Sequence, residues 1–369
     1  MSNPWENKPD GVMKAAVLTS PGAEPPSACF TYKEDYPKPT LPSPDWVLVR
    51  VRATGINRAE LRARTGAPCF PGEFNIFQKW FHKEPPRILG EECVGEVVVA
   101  GSSSGFKVGD KVAAANYGGG KAHDGGYAEY AICHKRRTFR FPQDTKLPWE
   151  VLGALPMSLL TAWGMVMTSG RLGDRPKGSS VLVHGATSSV GVYAILIAKS
   201  HGASVLATTR QKNKVDRLKE IGADHVVLED ELEEKIPKLY PNGFDVVAEL
   251  VGPDQLLRVL GWTARFGHVV ASGILNLSHE CPGFTPFLIP STRCVTFASV
   301  SNDGIGDEDA GATAADIEPI YKKAVDNIES GKWRKELFID KVYPLKDIGL
   351  AHERAEKNLA TGKIVVLVE

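Results

Sequence analysis

The segment GATSSVG at residues 185–191 joins an apolar run to a predicted helix. The preceding residues, VLVH at 181–184, are typical of a buried strand, and the helix is predicted from about 190 to 200. At such a junction, unpaired backbone N–H groups and the helix dipole favour a phosphate group. Ala186 and Ser188 stand where many nucleotide-binding turns have glycine, so an ordinary turn without a ligand remains an alternative at this point.

The small side chains of this turn are compatible with a close approach of a ligand to the backbone. Alanine and serine are the smallest residues after glycine, and the hydroxyls of Ser188 and Ser189 could donate hydrogen bonds to a phosphate. Gly191 stands where the helix must pack closely on the strand.

Metal or redox chemistry based on cysteine is not indicated. No two of the six cysteines lie within a few residues of each other, so no CxxC pair exists. They are predicted to be free, mostly buried thiols: Cys29, Cys69, Cys93, Cys133, Cys281 and Cys294. His123 has no partner at ligand spacing and is interpreted as a surface or hydrogen-bonded histidine.

The elements around the turn suggest two domains. Residues 1–150 contain short β-like runs separated by Gly and Pro, which is typical of a barrel or sandwich. Strands and helices alternate over 151–302, which predicts a parallel sheet covered by helices. Residues 303–369 contain a polar helix and end in a strand that needs a sheet to join. The sequence therefore predicts a nucleotide domain (151–302) inserted into a domain built from both termini.

The bulk composition is that of a globular protein. The 369 residues include 43% hydrophobic residues, and the 44 basic residues balance the 44 acidic ones. This balance gives no global field that would favour nucleic acid or an anionic membrane. No run approaches the ~18 apolar residues of a membrane span, and the polar start lacks the core of a signal peptide, so we expect a cytoplasmic protein.

Motifs along nearly the whole chain occur in the order of a known superfamily. They are ATGINRAELRARTG (53–66), PRILGEECVGEVVVAG (86–101), FKVGDKVAA (106–114), DGGYAEYAIC (124–133), LGALPMSLLTAWGMV (152–166), the turn itself, IAKSHGASVLATTR (197–210), IGADHVV (221–227) and TGKIVVLVE (361–369). With them the chain resembles the medium-chain dehydrogenase/reductase superfamily, specifically its zinc-free quinone-oxidoreductase-like branch. The resemblance implies an α/β fold with a Rossmann-type doubly wound parallel sheet inserted into a GroES-like β-barrel catalytic domain. In this branch the turn often has Ala and Ser in place of glycine.

The resemblance implies that the turn binds a nicotinamide dinucleotide. The second strand ends in LATTR, without the acid that usually accepts a hydrogen bond from the ribose 2′-hydroxyl of NAD. Hydroxyl and cationic groups suited to a 2′-phosphate follow instead, which favours NADPH: Thr208, Thr209, Arg210, Lys212 and Lys214. The alternative is a solvated basic turn. Glu229 departs from the resemblance, because some relatives have a phosphate-binding Tyr there.

The expected cofactor contacts are Ala186, Ser188, Ser189, Val190, Gly191, Thr209, Arg210, Lys214, Val251, Gly273 and Ile274.

The zinc ligands of the superfamily's alcohol dehydrogenases are not matched. Asn57 and Glu91 stand at the first two ligand positions, and an amide with a lone carboxylate does not reproduce the donor set of catalytic zinc. The resemblance places Asn57 and Thr161 at the nicotinamide or substrate end as catalytic candidates, with a turn-stabilising Asn and a core Thr as alternatives. Glu60 matches an acidic position in relatives and is interpreted as structural.

Without a Lewis acid, hydride transfer to a quinone or conjugated carbonyl compound is favoured, because the developing charge spreads into a hydroquinone or enolate. The longer linker at 70–81 has an aromatic stripe, in which Phe77 and Trp80 line a substrate pocket or belong to a core-covering helix.

Two other functions stay open: an enoyl reductase of secondary metabolism, and an NADPH-binding protein without redox turnover. We also expect a homodimer through RCVTFASVS (293–301), where relatives pair edge strands between subunits.

Overall fold

A computed structural model of the protein describes residues 11–66, 84–116, 118–278, 280–298 and 313–369. Its strands are β1 (Val12–Leu18), β2 (Phe30–Pro37), β3 (Trp46–Gly55), β4 (Arg87–Ile88), β5 (Glu92–Ala100), β6 (Lys111–Ala115), β7 (Tyr130–His134), β8 (Thr138–Arg140), β9 (Ser180–His184), β10 (Ser204–Thr209), β11 (His225–Leu228), β12 (Phe244–Glu249), β13 (Thr263–Ala271), β14 (Cys294–Phe297), β15 (Ile339–Pro344) and β16 (Lys363–Leu367).

Ten α-helices lie in the described residues. They are α1 (Arg58–Thr65), α2 (Trp149–Leu152), α3 (Pro156–Trp163), α4 (Ser189–Ser200), α5 (Val215–Ile221), α6 (Leu232–Leu239), α7 (Leu256–Gly261), α8 (Ala314–Glu329), α9 (Lys335–Phe338) and α10 (Ile348–Glu356).

The described residues form two compact units. The first consists of those within Met1–Met157, Gly311–Lys335 and Ile339–Glu369, and the second of those within Ser158–Ala310 and Glu336–Phe338. The second unit is therefore inserted between chain segments of the first.

The first unit is rich in β-structure. Seven strands form one sheet, in which β15, β16, β3, β5, β6 and β8 lie side by side and β7 also pairs with β3. A second sheet has the order β2-β1-β4. The C-terminal strand β16 pairs antiparallel with β3, so that Val366 lies opposite Thr54. This pairing joins the C-terminal strand to strands from the N-terminal part of the chain, so the tail predicted to need a sheet has one.

The second unit is built on a parallel six-stranded sheet. The strand order is β11-β10-β9-β12-β13-β14, and each neighbouring pair is parallel. Strand β9 has the sequence SVLVH and is buried from Val181 to His184, as expected for a strand covered on both faces. Numbered from β9, this order is 3-2-1-4-5-6, that of the Rossmann fold, with the order reversing beside β9. The predicted doubly wound sheet is confirmed.

By length and composition alone, the helical segment Trp149–Ser169 could cross a membrane. However, 67% of its most apolar window is buried inside the protein. A core helix of a soluble protein passes the same test, so this is weak evidence for a membrane span.

Candidate cofactor-binding and catalytic sites

The turn after β9 has the geometry of an anion-binding helix start. Gly185 adopts φ = 89°, a left-handed conformation that favours glycine. Ser188 is the N-cap of α4, and its Oγ accepts a hydrogen bond from the Gly191 N–H at 3.0 Å and donates one to the Gly185 carbonyl at 2.9 Å. The Ser188 hydroxyl therefore holds the turn together.

Gly191 is needed for close packing of α4 against the turn. A Cβ atom at this position would lie 2.7–2.8 Å from backbone atoms of Ala186, which is closer than real Cβ contacts. Ala186 itself is fully buried, and its contact with a cofactor stays a prediction. The predicted reason for glycine at 191 is thus consistent with the geometry.

The first turn of α4 fits a pyrophosphate group. Within the described part of the chain, the backbone N–H groups of Ser189 and Val190 have no hydrogen-bond acceptor. Unpaired N–H groups at the start of a 12-residue helix, together with its dipole, favour an anion. A dinucleotide would therefore be held here mainly by backbone groups.

Two further loops meet the turn at the carboxyl ends of the strands. The Leu250 N–H donates to the His184 carbonyl at 3.1 Å, which ties the loop after β12 to the end of β9. The Asn276 N–H donates to the Val251 carbonyl at 2.9 Å and ties the loop after β13, which contains Gly273 and Ile274, to the loop after β12. The structure thus places Val251, Gly273 and Ile274 at the same edge of the sheet as the turn. Their contacts with a cofactor stay predictions.

The carboxyl end of β10 carries the residues expected at a 2′-phosphate. Arg210 is exposed, whereas Lys214 is 7% exposed and is the N-cap residue of α5. Thr209 Oγ1 accepts a hydrogen bond from the Gln211 N–H at 3.1 Å. Thr208 is buried, and its hydroxyl accepts one from the Gly185 N–H at 3.1 Å, so Thr208 supports the turn and does not fit the expected role as a phosphate ligand.

A buried network under the turn was missed by the sequence reasoning. His184 Nδ1 lies 2.5 Å from Glu249 Oε2, and its Nε2 lies 3.1 Å from Glu229 Oε2. Glu249 Oε1 accepts from the Val251 N–H at 2.6 Å and the Gly252 N–H at 3.2 Å, which fixes the loop after β12. The sequence does carry a sign of this network: each of the two largely apolar strands VLVH and DVVAE ends in a polar residue.

This network holds a positive charge on His184 at neutral pH. Burial works against the imidazolium, but hydrogen bonds to Glu229 and Glu249 raise the pKa of His184 to about 9. His184 is therefore an imidazolium ion that is paired with two carboxylates.

Asn57 lies in a buried polar cluster of the first unit. Its Nδ2 donates to Glu92 Oε1 at 3.0 Å, and its Oδ1 accepts from Lys363 Nζ at 2.6 Å. Lys363 and Glu92, both fully buried, also form an ion pair with each other. Asn57 is the N-cap of α1, and Glu60 closes a capping box with it. The turn-stabilising role considered as an alternative for Asn57 is therefore present, and a catalytic role stays a prediction.

Glu60 is a fully enclosed carboxyl group in this cluster. Burial, reinforced by the nearby carboxylates of Glu91 and Glu92, raises the pKa of Glu60 to about 8. Its oxygens accept from the backbone N–H groups of Asn57 at 2.5 Å and Glu91 at 2.8 Å, which works in the opposite direction. Because Glu60 bridges these two backbone segments, its geometry agrees with the structural interpretation.

The donor set around Asn57 does not fit a zinc ion. Glu91 Oε2 pairs with Lys121 Nζ at 3.1 Å, and the Asn57 oxygen is taken by Lys363. Two ammonium groups therefore stand where a divalent cation would need anionic or imidazole ligands. In the described ranges, no group of three His, Cys, Asp or Glu side chains could hold a metal ion.

The remaining candidate residues are Thr161, Phe77 and Trp80. Thr161 lies on α3 in the second unit and is partly buried, whereas Asn57 lies in the first unit. Phe77 and Trp80, with the whole segment 70–81, lie outside the described residues. Their role in a substrate pocket stays a prediction.

Two protein families match this chain. The alcohol dehydrogenase GroES-like domain matches residues 43–143, and the zinc-binding dehydrogenase family matches residues 189–305. These ranges fall in the β-rich unit and in the unit with the parallel sheet.

Similar curated proteins are named as quinone oxidoreductases. A putative quinone oxidoreductase of Bacillus subtilis, YhfP, is 30% identical over 269 residues, which cover 72% of this chain and 75% of that protein. The human quinone oxidoreductase is 27% identical over 335 residues, covering 89% and 91%. A crystal structure of a Pseudomonas syringae quinone oxidoreductase superposes with a TM-score of 0.76 at 23% identity, over 96% of this chain and all of that one. This last likeness concerns the fold.

Proposed function

Because the chain belongs to the quinone-oxidoreductase-like branch of the medium-chain dehydrogenase/reductase superfamily, we propose that it reduces quinones or α,β-unsaturated carbonyl compounds with NADPH and without zinc. Membership makes it an oxidoreductase with a GroES-like domain and a Rossmann domain, and members of this superfamily bind nicotinamide cofactors. The bound nicotinamide supplies a hydride. The acceptor and the choice of cofactor depend on this chain's own side chains.

The observation that carries the acceptor proposal is the cluster of Asn57, Glu92 and Lys363. These groups satisfy each other by hydrogen bonds and an ion pair and do not fit a Lewis-acidic metal. Reduction of an isolated ketone needs strong stabilisation of an alkoxide, which a Lewis-acidic metal ion can supply. A conjugated acceptor spreads the developing charge over several atoms and needs less help from the protein.

The cofactor proposal is supported by the end of β10. Thr209 is followed by the exposed Arg210, with no acid at the position that usually binds a ribose 2′-hydroxyl. A guanidinium can form charge-assisted hydrogen bonds with a 2′-phosphate, which NADH lacks.

A panel of acceptors tests the proposed reaction. We expect NADPH oxidation with small quinones and with enones, and none with the matched saturated ketones. Turnover confined to the saturated ketones would contradict the acceptor class. Tight NADPH binding without turnover on any acceptor would instead favour a cofactor-binding protein.

Arg210→Ala tests the cofactor. One lost charge-assisted hydrogen bond is worth roughly 1.5–3 kcal/mol, so NADPH affinity should fall about ten- to a hundredfold while NADH affinity stays nearly constant. Ser188→Asp is the contrasting variant: aspartate also caps helices, but its charge opposes the pyrophosphate and should weaken both cofactors. Nicotinamide fluorescence titrations give both affinities. An equal loss of both cofactors in Arg210→Ala would refute the assignment.

A further inference from the structure

Glu229 is an acidic residue next to the expected 2′-phosphate site. Strands β10 and β11 are parallel, and Thr209 pairs with Leu228. Arg210 and Glu229 therefore directly follow two paired residues at the same edge of the sheet. A free carboxylate at this edge would repel a phosphate and could accept a hydrogen bond from a ribose hydroxyl, which favours NADH over NADPH.

Two cations hold this carboxylate. Arg258 Nη1 donates to Glu229 Oε1 at 2.6 Å, and His184 Nε2 lies 3.2 and 3.1 Å from its two oxygens. Although partial burial acts in the opposite direction, these hydrogen bonds hold the pKa of Glu229 below its usual value. Glu229 is thus ionised at neutral pH, with a positive charge on either side.

Both cations are fixed by other groups. His184 is fully buried and bonded on its other nitrogen to Glu249. Arg258 donates through Nε to Glu233 at 2.7 Å, and its guanidinium lies 4.9 Å from the Trp262 ring centre. Neither cation can follow a ligand without breaking these contacts, so their placement at Glu229 is preorganised.

We propose that Arg258 and His184 contribute to cofactor specificity: they hold the Glu229 carboxylate in ion pairs and so allow the end of β10 to accept a 2′-phosphate. This inference rests on the proposed use of NADPH. Arg258 acts through Glu229 and is a positioning residue, whereas Arg210 is the expected phosphate ligand.

The proposal predicts that Glu229 opposes NADPH binding most strongly when Arg258 is absent. Arg258→Met removes one of the two positive charges at Glu229. We expect NADPH affinity to fall roughly tenfold, which is the effect of one screened unit charge near a phosphate. NADH affinity should stay the same or rise slightly. Adding Glu229→Gln to this variant removes the uncompensated carboxylate and should restore NADPH affinity to within about threefold of the wild type.

Fluorescence titrations of the full-length protein with NADPH and NADH measure these effects. Arg175→Met is the matched control, because Arg175 pairs with Asp245 at 3.4 Å. Asp245 also accepts from the Ser180 N–H, at the amino ends of β9 and β12, whereas Glu229 lies at the carboxyl ends of the strands in the same sheet. Arg175→Met removes the same charge and should leave the ratio of the two affinities unchanged. Arg258→Lys keeps the charge and should keep most of the NADPH preference.

A loss of both cofactors in Arg258→Met, or no selective rescue by Glu229→Gln, would overturn the proposal. If Arg258→Met does not fold, Glu229→Gln alone decides: it should raise the NADPH preference severalfold, and an unchanged ratio refutes the inference. Failure of the proposed function looks different. It appears as wild-type protein that prefers NADH, whereas a wild-type preference for NADPH with a null result in these variants refutes only the role of Arg258 and His184.

Discussion

Lys363 and Glu92 form a fully buried ion pair in the first unit, and each has further partners. Lys363 donates to Asn57 Oδ1, and Glu92 Oε2 accepts from the Met157 N–H at 2.7 Å. Such a pair is costly to desolvate, and the loss of one member leaves the other charge buried without compensation. Replacing one member of the pair is therefore expected to cost more stability than replacing both.

Lys363→Met should lower the free energy of unfolding by about 3–5 kcal/mol, because it leaves Glu92 as a buried unpaired charge. Lys363→Met combined with Glu92→Gln should recover part of this loss. Urea denaturation measures both. The control Arg52→Met removes a partly exposed ion pair with Glu96 and should cost less than about 1 kcal/mol. A similar cost for the buried and exposed pairs would contradict this account.

His184 predicts a specific dependence of stability on pH. Its pKa is about 9 in the folded protein and about 6.5 in an unfolded chain, so the folded state binds more protons between these values. The stabilisation from its contacts with Glu229 and Glu249 is complete below about pH 6.5 and is lost as the pH rises through 9.

We expect the wild-type protein to lose roughly 3 kcal/mol of folding stability over this pH range, and His184→Gln should lack this loss. Denaturation of the two proteins at pH 6, 7.5 and 9 gives the comparison. An identical pH dependence in wild type and variant would show that His184 is not a cation in the folded state.

At the scale of elements, β14 is the last strand of the parallel sheet in the described residues. Its one sheet neighbour among them is β13, and Phe297 is 53% exposed. An edge strand with unpaired backbone groups and an exposed aromatic side chain can pair with another chain. The homodimer expected from the sequence would use this strand, whose remaining predicted part, 299–301, lies outside the described residues.

Phe297→Lys tests this pairing. We expect a dimer for the wild-type protein at micromolar concentration and a shift to monomer for the variant, because a charge at an edge opposes strand pairing. Leu239→Lys, at an exposed position at the end of α6, is the control and should remain dimeric. Light scattering measures the mass. A monomeric wild-type protein would contradict the prediction directly.

For the whole molecule, the prediction concerns metal content. Purified protein should contain no stoichiometric zinc, and chelators should leave its activity intact, because Lys363 and Lys121 engage Asn57 and Glu91. Elemental analysis checks the first statement and an activity assay the second. About one zinc ion per chain would overturn it.

The sequence by itself determined the local elements and the class of the molecule. The apolar run at 181–184, the small residues at 185–191 and the following helix agree with β9, the capped turn and α4. The alternation of strands and helices predicted the parallel sheet, and the motif order identified the superfamily. These features are encoded in short spacings, since strand and helix periods and turn residues act within a few positions.

Only the tertiary structure decided which distant side chains meet. Asn57 and Lys363 are separated by 306 positions, and His184 by 65 from Glu249 and by 45 from Glu229. Strand pairing brings them together: β16 joins β3 beside Asn57, and β9 lies next to β12. The pairing of β10 with β9 likewise places the Thr208 hydroxyl next to Gly185. No local period encodes such contacts, because the order and register of strands depend on burial across the whole sheet.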